Sequence, residues 1–369
     1  MSRYRVCVYA ISKNEEKFVD RWMDSAGEAD LVVVLDTGST DDTVERLRAR
    51  GAIVYNEKIS PWRFDTARNV ALGHVPEDVD ICVSIDLDEV FDPGWRTLLE
   101  DAWSPEHTRA EYLYIWSFRD DGTPETQYPR EKIHRRKGFR WMRPVHEVLE
   151  FDFPGGEKTV WVDGLVLKHY QDLSKPRSQY LPLLELSVAE NPLDDRAAFW
   201  LGREYMYYGM REKCIRTLKA YLALPTARWA EERSAAMRFI ARCHRQNGES
   251  QEAKAELLHA IAECPTVREP YLEMAMLGYD EGNWPMVYAM VKKGLDITRA
   301  SGSYLTEPEA WGAALYDYGA VAAWQLGLLD EAINLARAAC REDGGNERLK
   351  GNLAFLEARA SERAGGEPR

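Results

Sequence analysis

The chain lacks the marks of several broad protein classes. Its six cysteines, at 7, 82, 214, 243, 264 and 340, form no Cys-x-x-Cys pair. They suit neither a zinc site nor a disulfide framework, and they fit a reducing cytosol, so a cytoplasmic protein is expected. No apolar run approaches the roughly 18 residues a membrane-spanning helix needs, so no membrane insertion is expected. No basic-then-apolar leader precedes the first strand-like run at residues 4–9. Positive charge is also short: the net charge of −13 argues against a broad polyanion-binding surface. Aromatic residues are plentiful, with 12 Trp and 18 Tyr. Such rings fill cores, and they also stack on sugars and bases. A length of 369 residues allows two domains with sizeable cores.

Residues 81–89 read Ile-Cys-Val-Ser-Ile-Asp-Leu-Asp-Glu, an apolar run that ends in three carboxylates. The apolar part predicts a buried strand. Asp86, Asp88 and Glu89 then lie at its C-terminal end, where open α/β sheets hold their ligands. Adjacent acids repel one another, so a shared divalent cation with oxygen ligands is the functional reading. An Asp-rich turn capping the next helix is the plain alternative.

The first 100 residues alternate strand and helix. Strands are predicted at 5–10, 31–36, 52–56 and 80–85, and helices at 14–25, 41–50 and 64–73. Thr40 or Asp41 is the expected N-cap of the second helix. This order implies a parallel or mixed sheet with right-handed crossovers. Residues 111–170 carry aromatic strands at 112–118, 159–162 and 165–169, together with a basic loop. They read as an antiparallel extension of the same sheet. Lys132, His134, Arg135, Arg136, Lys137, Arg140 and Arg143 make that loop the dense basic patch of an acidic protein. It is either a solvated loop or a group that meets a diphosphate or an anionic acceptor. Trp116, Phe139 and Trp141 flank it as rings that could stack on a sugar or a base.

From about residue 178 the pattern is helical and repetitive. Gly209, Gly248, Gly282 and Gly327 are each followed five residues later by Cys214, Ala253, Val287 and Ala332. Leu218, Leu257, Val291 and Ala336 come four residues further on, and Tyr221, Ala260, Gly294 and Ala339 three beyond those. The glycine intervals of 39, 34 and 45 residues bracket the tetratricopeptide period, with loop insertions. Each glycine is expected to turn one helix into the next. A tail from residue 361 is expected to be disordered.

The N-terminal motifs combine at one sheet edge. Ala10-Ile11-Ser12-Lys13-Asn14-Glu15-Glu16 follows the first strand, and Asp36-Thr37-Gly38-Ser39-Thr40-Asp41-Asp42-Thr43 the second. Ala67-Arg68-Asn69 opens a helix, and Asp86-Leu87-Asp88-Glu89 closes the next strand. Together these residues resemble the family 2 glycosyltransferases of the GT-A fold, over roughly residues 4–100. Trp141-Met142-Arg143-Pro144-Val145-His146-Glu147 is similar to the Val-His-Glu element of bacterial members, some of which carry tetratricopeptide tails. The expected fold is therefore an α/β GT-A, Rossmann-like nucleotide-sugar-binding domain over residues 1–172. An all-α tetratricopeptide-like domain over residues 173–360 is expected to follow.

The resemblance implies residue roles. Asp86 and Asp88 hold Mn2+ or Mg2+, Asp86 in part touching the ribose, and His169 completes the metal shell. Asp36 and Glu15 contact base and ribose, and the Ala10, Ile11 and Ser12 backbone lines the base pocket. Arg68 pairs with the acids or reaches a phosphate. Ser39 and Asp42 are read as helix-capping residues rather than ligand contacts. An inverting transfer needs a base on the acceptor side, with Glu147 the first choice and His146 the second. The implied function is transfer of a hexose from a UDP-sugar, with UDP-glucose the expected donor. The acceptor is open among a peptide or protein, a glycan or lipid core, and a hydroxylated nucleobase in modified DNA. The helical domain is expected to shape the acceptor site or a homodimer interface. The competing reading is a non-catalytic tetratricopeptide scaffold with a degenerate transferase domain.

Overall fold

The computed structural model describes residues 3–172 and 180–365. The chain divides into two compact units at Glu190 and Asn191. The first unit opens with β1 (Val6–Ser12), α1 (Val19–Ala26), β2 (Leu31–Asp36), α2 (Thr43–Ala49), β3 (Ile53–Asn56) and α3 (Phe64–His74). It continues with β4 (Ile81–Ser84), β5 (Glu89–Phe91), α4 (Trp95–Ala102), β6 (Arg109–Phe118) and β7 (Pro124–Arg135). β8 (Phe139–Met142), β9 (Val148–Phe151), β10 (Thr159–His169) and α5 (Tyr180–Glu190) complete it.

Eight strands form one sheet in the order β3-β2-β1-β4-β7-β6-β10-β5. β3, β2, β1 and β4 are parallel. β1, β2 and β4 are buried on both faces, which is why they read as near-continuous apolar runs, while β3 at the sheet edge is largely exposed. Val6, Val8, Ile81 and Val83 pack on one face with Trp22 and Trp95. Cys7, Tyr9, Val33 and Cys82 pack on the other with Ala67, Ala71 and Trp141. The extension is antiparallel at β4/β7, β7/β6 and β10/β5, but β6 and β10 run parallel. β8 and β9 pair separately as a two-stranded antiparallel sheet.

Two local readings change. The first helix begins at Val19 rather than at residue 14. Asn14 adopts φ 54°, outside the helical region. Its N–H donates to Ser39 Oγ at 2.8 Å, and the Glu15 N–H donates to Thr43 Oγ1 at 2.7 Å. The motif backbone is thus spent on the neighbouring loop. The basic run is also not one loop, because much of it lies in β7 and β8 and strand geometry disperses it. Lys132 and His134 turn inward and are buried. Arg135 stacks on Phe151 and Phe153, and Arg136 donates to the Val75 carbonyl.

The second unit holds α6 (Asp195–Tyr207), α7 (Arg211–Leu222), α8 (Ala230–Gln246), α9 (Ser250–Glu263) and α10 (Glu269–Asp280). α11 (Trp284–Leu295), α12 (Pro308–Trp311), α13 (Ala314–Gln325), α14 (Leu329–Glu342) and α15 (Glu347–Gly365) follow. The four repeat glycines separate α6/α7, α8/α9, α10/α11 and α13/α14, with φ of 68°, 79°, 67° and 77°. The next residue in each case donates its N–H to a carbonyl five positions back: Met210 to Tyr205, Glu249 to His244, Asn283 to Gly278 and Leu328 to Ala323. This is the Schellman helix ending, whose left-handed residue favours glycine. Cys214, Ala253, Val287 and Ala332 are buried, as the spacing predicts.

The 45-residue glycine interval carries the extra segment 296–307 between α11 and α12. Tyr304 of this segment stacks on Trp200 of α6 and donates to Glu232 Oε2 of α8 at 2.6 Å. Glu307 meets Arg238 and Arg242 of α8, which also share Glu273 of α10.

The linker expected at 171–176 lies mostly outside the described residues. α15 runs on to Gly365, with Leu356 and Ala360 packed on the last core cluster. Residues 361–365 are therefore helical where a disordered tail is expected, and residues 366–369 lie outside the described ones.

Candidate active site

The C-terminal edge of the parallel strands gathers most of the motif residues. At the β1/β2 end, Ser12 Oγ donates to Asp36 Oδ2 at 3.0 Å. Asp36 Oδ1 accepts the N–H groups of Gly38 and Ser39, and its Oδ2 also accepts from the Ser39 hydroxyl. Ser39 therefore braces Asp36 rather than capping α2. Asp42 sits at the α2 N-cap without a side-chain capping bond. Ala10 and Ser12 are buried in the sheet.

At the β4 end, Arg68 of α3 bridges two acids. Its Nη2 donates to Asp86 Oδ1 at 2.8 Å, and its Nε donates to Glu147 Oε1. Lys132 Nζ reaches Asp86 Oδ2 at 3.2 Å and Glu89 Oε2 at 3.8 Å. Tyr114 donates to Glu89 Oε1 at 2.9 Å, and the Asp86 N–H donates to Glu89 Oε2. Burial opposes the charge on Asp86, but Arg68 and Lys132 outweigh it and hold this carboxyl well below the usual range. Burial likewise opposes charge on Arg68, and Asp86 and Glu147 keep it a cation. Arg68 Nη1 is buried and makes no hydrogen bond among the described residues. Such a donor is costly to leave unpaired and suits an incoming oxyanion.

Asp88 points elsewhere. Its Oδ2 faces His169 Nε2 at 3.4 Å, and its carbonyl accepts the Tyr170 N–H. His169 Nδ1 lies 3.2 Å from the Trp116 carbonyl, which fixes the ring as a donor there and leaves Nε2 toward Asp88. Burial works against protonation of His169, but Asp88 and Glu89 prevail and raise its pKa above the ordinary histidine value. Among the described residues no three His, Cys, Asp or Glu side chains converge as a ready-made cation cage. Asp88 and His169 could supply one oxygen and one nitrogen ligand to a divalent cation. Asp86, expected beside them, is spent on Arg68 and Lys132.

The loop between β8 and β9 is held from below. Asn69 brackets the Trp141 backbone, donating Nδ2–H to its carbonyl at 2.8 Å and accepting its N–H at 2.9 Å. Arg68 lies over the Trp141 ring at 5.0 Å. Trp141 Nε1–H donates to Tyr9 Oη at 2.8 Å, and Tyr9 Oη is 2.9 Å from His134 Nε2. The Ala-Arg-Asn motif therefore supports the Val-His-Glu loop. Arg143 and His146 both have positive φ, 80° and 49°. Non-glycine residues there are strained and cluster at functional sites. Glu147 joins Arg68 in the acid cluster, while the His146 ring stacks on Tyr180 at 5.8 Å. The sequence points to Lys132 only as one member of the basic run, and it does not single out Tyr114. The signal for Lys132 is its place two residues before His134, a spacing that turns both to the same side of a strand.

Comparison with known proteins covers both parts of the chain. Solved structures similar over the helical part include MamA, 20% identical, spanning 46% of this chain and 83% of that one with a TM-score of 0.36. A thermophilic TPR protein of Thermus thermophilus is 21% identical, spanning 49% and 90% with a TM-score of 0.34. YrrB, a TPR protein with an unusual peptide-binding site, is 12% identical, spanning 49% and 84% with a TM-score of 0.39. Residues 7–156, which hold the acid cluster, Arg68, Asp36 and the Val-His-Glu loop, match the sequence profile described as Glycosyl transferase family 2. The first unit of this chain thus carries a family 2 glycosyltransferase domain.

Proposed function

We propose that the protein transfers a hexose from a UDP-sugar, with UDP-glucose the expected donor, and inverts the anomeric configuration. The observation that carries this reading is the gathering of Arg68, Asp86, Asp88, Lys132 and His169 at the end of β4, inside a family 2 domain. The uridine would lie against the Ser12–Asp36 end of the sheet, with Glu15 nearby. The diphosphate would extend toward Arg68 and Lys132. Those two cations are already held by Asp86 and Glu147, so little reorganisation is needed as charge develops on the leaving group. Asp88 and His169 are the groups that would hold Mn2+ or Mg2+. Such an ion supplies charge compensation to the departing diphosphate.

Glu147 remains the first candidate for the acceptor-side base, with Arg68 setting its orientation. His146 is the second candidate. The acceptor is a peptide, a glycan or lipid core, or a hydroxylated base. The retained acid cluster favours catalysis over a degenerate scaffold. The test is release of UDP from UDP-glucose with Mn2+ or Mg2+ present, and its suppression by chelator. Failure of every UDP-hexose to bind or turn over under these conditions would sink the proposal.

A further inference from the structure

Several cations of the first unit are claimed by carboxylates. Arg68 meets Asp86 and Glu147, Lys132 meets Asp86, and Arg109 meets Glu131 and Glu157. Arg130 of β7 is different. It forms no hydrogen bond and no ion pair among the described residues, and its Nε–H is buried. Ring faces hold it instead. Its guanidinium lies 4.9 Å from the ring centroid of Tyr114 and 6.0 Å from that of Tyr128. The acids around it are spent elsewhere: Glu131 on Arg109, and Glu89 on Tyr114, the Asp86 N–H and Lys132. Contact with a ring face attracts the charge but satisfies none of the N–H groups, and a desolvated donor left unbonded is costly.

Position in the sheet says what this guanidinium could meet. The chain from Asp86 to Glu89 leads from β4 to the edge strand β5, across β7, β6 and β10. Each crossed strand ties it down: Lys132 of β7 at Asp86, Tyr114 of β6 at Glu89, and His169 of β10 at Asp88. Along β7, residue numbers fall toward the C-terminal end of β4, because Arg135, His134 and Ile133 pair with Ile81, Cys82 and Val83. Arg130 therefore stands past the last paired residue, about 7 Å beyond Lys132 along the strand. That is the edge at which a parallel sheet holds its ligands. Tyr114 touches both sides of the site: its ring carries Arg130 and lies 6.1 Å from the ring of His169.

We propose that Arg130 binds an oxyanion of the substrate, and that this group is a phosphate. This rests on the donor reading above. The expected source is the second phosphate of the nucleoside diphosphate, where charge develops as the sugar leaves. A phosphate carried by the acceptor is the other source of the same chemistry. Arg68 and Lys132 share their charge with acids, whereas Arg130 adds a cation with no carboxylate bonded to it. A guanidinium presents forked N–H donors that match phosphate oxygens, and its charge makes those bonds stronger than neutral ones.

The test is isothermal titration of the full chain with UMP, UDP and inorganic phosphate, with Mg2+ present, on the native chain, Arg130→Gln and Arg130→Lys. The native chain should favour UDP over UMP. Arg130→Gln should weaken UDP binding about tenfold, the worth of one hydrogen bond to a charged group, and leave UMP binding unchanged. Arg130→Lys should lose less, because it keeps the charge without the forked donors. Inorganic phosphate separates the two sources. If Arg130→Gln leaves UDP binding intact, but phosphate binds the UDP-loaded native chain and not the UDP-loaded variant, the acceptor supplies the group and the proposal stands. An equal loss of UMP and UDP binding would show that Arg130 only braces Tyr114 and would overturn the proposal. UDP and phosphate binding that both ignore Arg130→Gln also overturn it, and keep the donor reading. Arg130-dependent phosphate binding by a chain that takes up no UDP keeps Arg130 as the phosphate ligand and rejects the donor. A native chain that binds neither rejects both.

Discussion

Acid should loosen the first unit through His134, and the size of the effect follows from its surroundings. His134 is fully buried between Tyr9, Phe139 and the neighbouring strands. Its Nδ1 faces the Arg135 carbonyl at 2.8 Å, and its Nε2 faces Tyr9 Oη, which already accepts from Trp141 Nε1–H. The consistent arrangement has Nδ1–H donating to Arg135 and Nε2 accepting the Tyr9 hydroxyl proton. A second proton on the ring would displace that hydroxyl proton from Nε2 and place a charge in a fully buried site. Burial, with Arg109 and Arg136 adding repulsion, lowers the His134 pKa from 6.5 to about 3.

The folded-state pKa is depressed, so the contribution to stability is complete above pH 6.5 and is lost as the pH falls toward 3. At about 1.36 kcal/mol per pH unit, about 2 kcal/mol should be gone by about pH 5. Urea unfolding followed by near-ultraviolet circular dichroism, which reports aromatic packing, measures it. His134→Gln retains an acceptor for Tyr9 but does not titrate. Its stability should fall by about 2 kcal/mol less than that of the native chain between about pH 7 and pH 5. Identical pH slopes for the two proteins would show that His134 is not held neutral, and the proton placement described above would be wrong.

Other expectations concern the site and the helices. Asp88→Ala should abolish the metal-dependent part of the UDP-induced melting shift, because one of two expected cation ligands is gone; an unchanged shift rejects the assignment. Glu147→Gln should keep donor binding and lose transfer by about two to four orders of magnitude. If His146→Ala loses transfer and Glu147→Gln does not, the base is His146. In the helical unit, Glu307 is more acidic than an ordinary glutamate because Arg238 and Arg242 outweigh its burial. Glu307→Gln should cost about 2 kcal/mol at neutral pH, the discounted loss of a half-exposed partner to two arginines. That difference should shrink as the pH drops below the ordinary carboxylate value, and an equal loss in acid and at neutral pH would argue against the ion cluster. Gly248→Ala places a side chain at φ 79° and should lower stability by about 1 kcal/mol; a neutral result would mean the helix ending relaxes.

The elements that could be read directly were those whose physics is local. Parallel strands buried on both faces announce themselves as apolar runs, so β2 is found at residues 31–36 as predicted, and the acids after β4 stand out against it. The four glycines are legible because a left-handed helix ending rejects other side chains, and a regular spacing then exposes the repeat. The grouping of Asp36, Arg68 and Asp86 at one edge follows from strand direction alone.

Tertiary structure decided what lies far apart in sequence. It set Arg68 between Asp86 and Glu147, residues 18 and 79 positions away. It drew Asp88 to His169 and left Asp86 to Lys132. It dispersed a basic run that looked like one patch, because alternation along β7 sends neighbours to opposite faces. It also chose Trp116 over Phe139 and Trp141 as the exposed ring. As letters in a chain, all three have the same apolar, aromatic character. Which of them meets water depends on the shift in the β6/β7 register between Ile115 and Ser117 and on strand order. Both arise from pairing between segments that no local pattern encodes.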